Sequence, residues 1–250
     1  MAIRRVRSKW AKTKALLQSR ELRPYVPLTK RFSRTALHAM LEQFDMVYIK
    51  PIEGTFGKGV IRVERFSEPS PGYRYQIQNR EYSFETFDEL YWALQDYTGR
   101  KGYLVQKGID LLTYRNRRFD IRVMIQKNLS NRWETTGFIG RLSHPDHVVT
   151  NYHSGGTLLP LERLLSEHLS AADVATYRRD LKTLGVMIGR QLSKAYPGLK
   201  ELGADIAIDT DFHPWILEVN TKPHLYAFKQ IDTSMQRKVT RYAKAYGGMK

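Results

Sequence analysis

The chain has 250 residues, 42% of them hydrophobic, which is enough for the core of one large domain or of two modest ones. The absence of cysteine excludes disulfides, cysteine-ligated zinc and thiol nucleophiles. The formal net charge of +16 favours anionic partners, whether nucleotides, nucleic acid, acidic polymers or an anionic membrane surface.

The N-terminal segment, residues 1–28, is basic, and its first 20 residues are helix-prone. It lacks the continuous apolar stretch of a signal peptide, and no later stretch approaches the roughly 18 uncharged apolar residues of a membrane span. We therefore expect no membrane span and a cytoplasmic location. The segment is interpreted as either a solvated helix or a basic arm, with the solvated helix favoured.

The linker at residues 22–27 carries two prolines, which should end any helix before it. Ser33 then stands at the N-cap position of a helix over 34–44, whose apolar residues recur at helical spacing. A second helix is expected behind Thr86, and β-type runs lie on either side of it. The predicted strands of this region are 46–50, 60–65, 73–78 and 103–106, and the second helix is 87–97.

The second half of the chain continues this mixture of strands and helices. A long amphipathic helix is predicted at 173–196, ended by Pro197-Gly198. The other predicted elements are strands at 119–126, 133–142, 202–209 and 214–219, the last two joined by a turn at 210–213, and a closing helix at 233–246. These elements predict an α+β fold with antiparallel strand pairs.

A lysine-terminated strand followed by a glycine-rich loop is the first motif with chemical content. Lys50 ends the strand at 46–50, and the loop at 53–59 contains three glycines. Glycines let backbone N–H groups approach phosphate oxygens closely, and a lysine ammonium neutralises phosphate charge. The pattern is neither a P-loop nor a dinucleotide-binding fingerprint. The alternative is a flexible hairpin with a solvated lysine.

Three oxygen-bearing side chains follow on the last two predicted strands. Asp205 lies on the first of them, and Glu218 and Asn220 lie two residues apart on the second, so that they share a face. Such a set suits Mg²⁺, which binds through one or two carboxylates and substrate phosphates. The alternative is a row of polar residues on the wet face of a sheet. The carboxylates interrupt apolar strands, where an unpaired charge is costly, and this favours the metal site.

Two further motifs are ambiguous when each is taken alone. Asp120 and Arg122 share a strand face, as expected either for a surface ion pair or for a phosphate-clamping arginine beside a functional carboxylate. The segment 151–156 begins at Asn151 and ends in Gly155-Gly156, so its amides could close on phosphates. His153 within it reads most simply as a surface or structural histidine.

The order of these motifs is more specific than any one of them. It runs from the lysine and glycine-rich loop through Gln106-Lys107-Gly108-Ile109, Asp120-Ile121-Arg122, Asn151 and Asp205 to Glu218-Val219-Asn220. This succession, over residues 29–226, resembles the ATP-grasp superfamily. Within it, the residues at 48–59, 119–122 and 217–223 are most similar to the YheC/YheD family, associated with endospore coats in bacilli. They are more distantly similar to ligases that add glutamate to a ribosomal protein and to glutathione synthetases.

The resemblance implies a nucleotide site between the antiparallel sheets of two α+β subdomains, at 29–106 and 107–250. Lys50 would contact a phosphate, and the β- and γ-phosphates would lie under the loop residues Glu53, Gly54, Gly57, Lys58 and Gly59. The adenine would be lined, largely through backbone groups, by Gln106, Lys107, Gly108 and Ile109. Asp120 would meet the ribose or substrate, and Asn151 would lie near the phosphates.

The same resemblance implies the metal site and the reaction. Asp205, Glu218 and Asn220 would hold Mg²⁺, with Mn²⁺ as an alternative. Arg122 and Lys50 would stabilise charge as a carboxylate takes the γ-phosphoryl group of ATP to give an acyl phosphate. An amine would then displace phosphate and form an amide. The basic surface favours an acidic polymer or peptide as the acceptor.

Two positions depart from the superfamily pattern. Lys107 stands where relatives commonly have a glutamate that binds nucleotide or ribose, so the adenine and sugar contacts there should differ. Only residues 1–28 precede the predicted small subdomain, whereas ATP-grasp enzymes usually carry an additional N-terminal domain. We expect the acceptor to be held by a reduced or remodelled element, or by a partner.

Two rivals to the ligase remain. A nucleotide-binding structural protein of a spore-associated assembly would keep the same site without turnover. A nucleic-acid-binding protein would use the net charge and the tyrosines at 73, 75 and 82, but these are explained more simply by packing, and the sequence has no nucleic-acid-binding motif.

Overall fold

The computed structural model describes residues 3–54, 57–67, 69–99, 101–143 and 156–249. The helices are α1 (Lys9–Leu17), α2 (Arg34–Gln43), α3 (Phe87–Thr98), α4 (Leu161–Leu165), α5 (Ala171–Ala195) and α6 (Thr233–Ala245). The first six strands are β1 (Thr29–Arg31), β2 (Met46–Pro51), β3 (Ile61–Phe66), β4 (Gly72–Ile77), β5 (Arg80–Phe84) and β6 (Tyr103–Lys107). The others are β7 (Thr113–Tyr114), β8 (Arg117–Lys127), β9 (Trp133–Leu142), β10 (Thr157–Leu159), β11 (Glu201–Ile208) and β12 (Pro214–Asn220).

The first sheet has the strand order β1-β6-β2-β3-β4-β5, and each of its pairs is antiparallel. Helices α2 and α3 begin with side-chain caps: Ser33 accepts from the Ala36 amide, and Thr86 forms a capping box with Glu89. Their apolar faces and the apolar face of the sheet form one core. On the opposite face of the sheet, Lys50 of β2 forms a hydrogen bond with Gln106 of β6.

The second sheet has the order β10-β9-β8-β11-β12, with β7 paired to β8, and its pairs are also antiparallel. Helix α5 packs on one face of β8 and β9, where Gly185 and Gly189 let it approach closely: a Cβ at Gly189 would lie 2.7 Å from the Trp133 ring. On the other face, α6 and the turn at Tyr226–Gln230 enclose a small core around Phe228. The predicted α+β class with antiparallel sheets is confirmed.

The interpretation of the N-terminal segment as a solvated helix is wrong. Helix α1 packs on α5 and β12, and Ala15 and Leu16 belong to the core of the second sheet together with Leu22 and Val26. Even its lysines Lys9 and Lys12 are buried. The sequence did not show this, because the buried face of α1 also carries lysines, which find a partner only in the folded chain.

The predicted helices and strands lie within two residues of the observed ones. The prediction missed β1, β5, β7, β10 and α4. The four missed strands are short, and β5 is largely exposed, so pairing with a neighbouring strand defines them more than an apolar pattern does. Helix α4 buries three leucines at helical spacing, but its five residues are too short a run for a helix prediction. None of the helices among the described residues combines the length and apolar character needed to cross a membrane.

Candidate functional site

A cleft lies between the polar faces of the two sheets. From the first sheet and the segments that flank it, the predicted residues that line the cleft are Lys50, Gly54, Gly57, Lys58, Gln106, Lys107 and Ile109. From the second sheet they are Asp120, Arg122, Asp205, Glu218 and Asn220. Residues far apart in the sequence therefore meet at one site.

Strand alternation places the charged residues of the second sheet on the cleft side. On β8, Ile121 and Val123 point into the core, whereas Asp120 and Arg122 point the other way. On β11, Ala204 and Ile206 lie in the core beside the cleft residue Asp205. Because alternate residues of each strand are buried in the core, the charged residues between them must point to the cleft.

A β-bulge in β12 sets the direction of Glu218. Asp205 pairs with Glu218, but the next residue, Ile206, pairs with Ile216, which leaves Leu217 as an extra residue. Without the bulge, Glu218 would share the face of the core residue Ile216. With it, both Glu218 and Asn220 line the cleft, as predicted, although regular alternation alone did not foresee the bulge.

The centre of the second sheet carries a network of four charges. The Arg122 guanidinium donates to Asp205 at 2.5 and 3.2 Å, and Arg141 donates to Asp120 at 2.7 and 2.6 Å. Arg141 also lies 3.2 Å from an Asp205 oxygen. Asp120 and Arg122 are each paired to a neighbouring strand, so the predicted surface ion pair between these two residues is not the arrangement found.

Burial and pairing oppose each other in this network. Burial by itself would raise the pKa of Asp205, but Arg122 and Arg141 outweigh it and hold that pKa below its usual value. Burial would lower the pKa of Arg141, but Asp120 and Asp205 raise it. Asp205 and Arg141 therefore both carry charge at neutral pH. The sequence prediction missed Arg141, and only the register that sets it opposite Asp120 reveals it.

Lys50 reaches the cleft from β2. Its Nζ donates to Oε1 of Gln106 at 2.6 Å, and Gln106 in turn donates to the Thr29 hydroxyl at 3.0 Å. Burial lowers the pKa of Lys50 to about 8, although Glu218 raises it. An anion placed next to this ammonium would restore the charged form.

The glycine-rich loop leads from β2 to β3. Gly57 has a φ of +69° and Gly59 a φ of +74°, a backbone region that side chains disfavour. Gly59 lies under the Tyr103 hydroxyl and does not line the cleft, and Glu53 is exposed outside it. Gly108 also lies outside the lining, because it packs on Met46 so closely that a Cβ there would lie 2.6 Å from it.

Lys107 occupies the position that departs from the superfamily pattern. Its ammonium lies 5.2 Å from the centre of the Phe44 ring and 5.0 Å from that of Trp215, an arrangement that favours a cation. A glutamate here would face the negative π-clouds of both rings. The lysine is therefore compatible with its surroundings in this chain.

Lys9 of α1 also lines the cleft and was not predicted. Its Nζ donates to the Gly54 carbonyl at 2.9 Å and lies 3.6 Å from Oε1 of Glu218. No pattern in the sequence predicts this position for Lys9, because Lys9 and Glu218 are far apart along the chain and meet only in the folded protein.

The donor set of the cleft fits a metal-bound polyphosphate. Its lining has seven Lys and Arg side chains against three carboxylates, an excess of positive charge that suits a polyanion. The carboxylate of Glu218 and the amide of Asn220 are oxygen donors of the kind that Mg²⁺ accepts. Asp205 supplies a third oxygen donor, whose carboxylate is shared with two arginines.

Two further predictions from the sequence concern the segment 151–156 and the tyrosines of the first sheet. Asn151, His153 and Gly155 lie outside the described residues. Tyr75 is buried in the core of the first sheet, Tyr73 packs at its margin, and the Tyr82 ring lies 4.8 Å from that of Tyr75, so sheet packing accounts for these aromatics.

Comparison with known proteins places this cleft in a family. A model of the YheC/D-like ATP-grasp family matches residues 3–248. The endospore coat-associated protein YheD of Bacillus subtilis (strain 168) is 23% identical over 94% of this chain, and the endospore coat-associated protein YheC of the same strain is 26% identical over 86%. The chain spans 53% of the length of the first relative and 59% of the second.

Solved structures share the fold at low sequence identity. The ATP-grasp ligase PsnB, complexed with its minimal precursor, is 13% identical with a TM-score of 0.55, over 95% of this chain and 60% of its own. N5-carboxyaminoimidazole ribonucleotide synthetase from Thermotoga maritima is 10% identical with a TM-score of 0.51, over 98% of this chain and 50% of its own. These similarities show the ATP-grasp fold.

Proposed function

The chain belongs to the YheC/D-like ATP-grasp family, and from that premise we propose that it binds ATP with Mg²⁺ and ligates a carboxylate to an amine. Members of the ATP-grasp superfamily are typically ATP-dependent carboxylate–amine ligases. The observation that carries the proposal is the cleft itself, where buried cations and oxygen donors from two sheets converge.

The cations have distinct tasks in the proposed reaction. Lys50 contacts a phosphate, and the amides of the glycine-rich loop lie over the terminal phosphates, with Lys58 beside them. Arg122, already oriented by Asp205, faces the charge that develops on the transferred phosphoryl group. Arg141 acts indirectly, because it holds Asp120 and Asp205 in place.

Glu218 and Asn220 would hold the metal, with Asp205 as the third donor and Mn²⁺ as an alternative ion. When bound, the ion offsets negative charge on the phosphates. A carboxylate oxygen of the substrate forms a bond to the γ-phosphorus of ATP. The bond between the γ-phosphorus and the bridging oxygen breaks, and ADP leaves. The amine nitrogen then attacks the acyl carbon, phosphate departs, and the nitrogen loses a proton.

The basic surface makes an acidic polymer or peptide our candidate acceptor. A second candidate function is a nucleotide-binding structural protein of a spore-associated assembly. The names of the two Bacillus relatives, both endospore coat-associated, favour it. The two candidates differ in turnover, since only the ligase releases ADP and phosphate when a carboxylate and an amine are supplied.

The metal donors provide the first test. Calorimetric titration of the wild type with ATP should give tighter binding in Mg²⁺ than in EDTA. The double variant Glu218→Ala, Asn220→Ala should lose this difference, because two of the three oxygen donors are gone. ADP release should be followed in the same samples.

Asp211→Ala is the matched control, since this carboxylate lies in the exposed turn between β11 and β12. It should bind as the wild type does. Metal-dependent binding that persists in the double variant would contradict the assigned donors, and a wild type that binds no nucleotide would overturn the proposed function.

Proton uptake provides a second test. Free Lys50, with a pKa of about 8, is mostly charged at pH 7 and mostly neutral at pH 9. A bound phosphate should raise this pKa, so binding takes up a fraction of a proton at pH 8.5 and little at pH 7, and affinity falls as the pH rises above 8. Calorimetry in buffers of different ionisation enthalpy measures the uptake. Equal uptake by Lys50→Met at pH 8.5 would refute the assignment.

A further inference from the structure

Helix α1 connects the two halves of the cleft. The backbone N–H of Lys9 donates to the Ile52 carbonyl at 2.8 Å, just before the glycine-rich loop. The Lys9 side chain then reaches from the Gly54 carbonyl of that loop to Glu218 of β12. One residue of α1 thus contacts both the loop and the carboxylate assigned to the metal.

The segment around α1 also fixes the end of β12. Thr221 directly follows Asn220, and its hydroxyl accepts from the Val6 amide at 2.8 Å, while Arg5 donates to the Thr221 carbonyl. Arg5 in turn donates to the buried carboxylate of Glu201 at 2.6 Å. These bonds hold α1 and the end of β12 in a fixed relation.

A second lysine of α1 lies one helical turn further along. The Lys12 ammonium is 4.0 Å from Oε1 of Glu218, and Lys12 is only 4% exposed. Among the described residues, Lys9 and Lys12 are the groups that form ion pairs with Glu218. Two buried lysines are therefore paired with a carboxylate that is itself assigned to bind the metal ion.

We propose that Lys9 and Lys12 are resident counter-cations of Glu218 which make metal binding depend on the nucleotide. This inference rests on the proposed function and goes beyond it. With the cleft empty of nucleotide, the two ammonium groups repel a divalent cation at Glu218. The phosphates bring negative charge that compensates both lysines, and Lys9, which lines the cleft, lies where it can transfer its contact to them.

The coupling has a physical basis in the burial of both lysines. Like charges a few ångströms apart repel strongly when water screens them poorly, and Lys9 and Lys12 are only 9% and 4% exposed. If Lys9 and Lys12 only stabilised the fold, their removal would weaken the binding of metal and the binding of nucleotide together.

The test measures the two ligands separately. Mn²⁺ binding without nucleotide, followed by electron paramagnetic resonance, should be at least about tenfold tighter in Lys9→Met, Lys12→Met than in the wild type. Binding of ATP in EDTA should weaken by about the same factor. Opposite changes in the two affinities support the proposal, and unchanged or parallel changes overturn it.

Controls separate this inference from folding and from the proposed function. Lys14→Met removes an exposed lysine of the same helix and should change neither affinity. If the double variant unfolds, Lys9→Gln, which keeps a donor for the Gly54 carbonyl, should show the same pair of changes at smaller size. A wild type that binds no Mn²⁺ with ATP would refute the proposed function and this inference with it. If the wild type binds Mn²⁺ with ATP and the double variant has the same two affinities as the wild type, the inference alone is refuted.

Discussion

Arg141→Met should lower the free energy of unfolding by about 3–5 kcal/mol, the typical result of removing one partner from a buried ion pair. Arg141 is 8% exposed, Asp120 is 2% exposed, and both oxygens of Asp120 accept from this guanidinium. The substitution leaves the buried Asp120 side chain without its guanidinium donor, and deprives Asp205 of one of its two arginines. Urea denaturation at pH 7 measures the loss.

The pH dependence of this loss follows from the sign of the shift at Asp205. Its pKa in the folded protein is below the usual value, so pairing stabilises the fold above about pH 4 and the contribution disappears as the carboxylate is protonated. Without Arg141 the pKa of Asp205 should be higher, because one of the two arginines that lower it is gone. The difference in stability between variant and wild type should therefore narrow as the pH falls from 7 towards 4.

Arg34→Met is the control for this experiment. Arg34 forms an ion pair with Asp88 in which both side chains are more than half exposed, so its loss should cost less than about 1 kcal/mol. A similar cost for the two variants would show that the buried network does not stabilise the fold as its geometry indicates.

Lys50→Met should weaken ATP binding by roughly 30-fold or more, the equivalent of about 2 kcal/mol or above for truncating a buried charged partner. The methionine keeps most of the side-chain volume on β2, but it removes the ammonium that the proposed function sets against a phosphate. Lys50→Arg retains the charge and should lose less. Calorimetric titration with ATP and Mg²⁺ measures both.

Lys182→Met, which removes an exposed lysine from α5, should bind ATP as the wild type does and controls for the change in net charge. Thermal unfolding of each variant separates a binding defect from a folding defect. Wild-type affinity in a folded Lys50→Met protein would remove Lys50 from the proposed site.

The sequence predicted the longer elements that carry an apolar pattern, several of them with a cap. Ser33 and Thr86 mark the starts of α2 and α3 because their side chains bond backbone amides a few residues away, a contact that needs no tertiary structure. The apolar alternation of β8 likewise determines that Asp120 and Arg122 share a face. The order of the motifs was sufficient to identify the ATP-grasp superfamily, which the family match and the shared fold confirm.

Only the tertiary structure decided which charges meet. Arg141 became part of the site because the register of β8 and β9 sets it opposite Asp120, and Glu218 faces the cleft because of the bulge at Leu217. The sequence predicts Lys9 and Lys12 as part of a solvated helix, but the packing of α1 on β12 brings both lysines to Glu218. Local patterns report the energetics of neighbouring residues, whereas these contacts depend on strand register and helix docking, which are determined by packing across the whole chain.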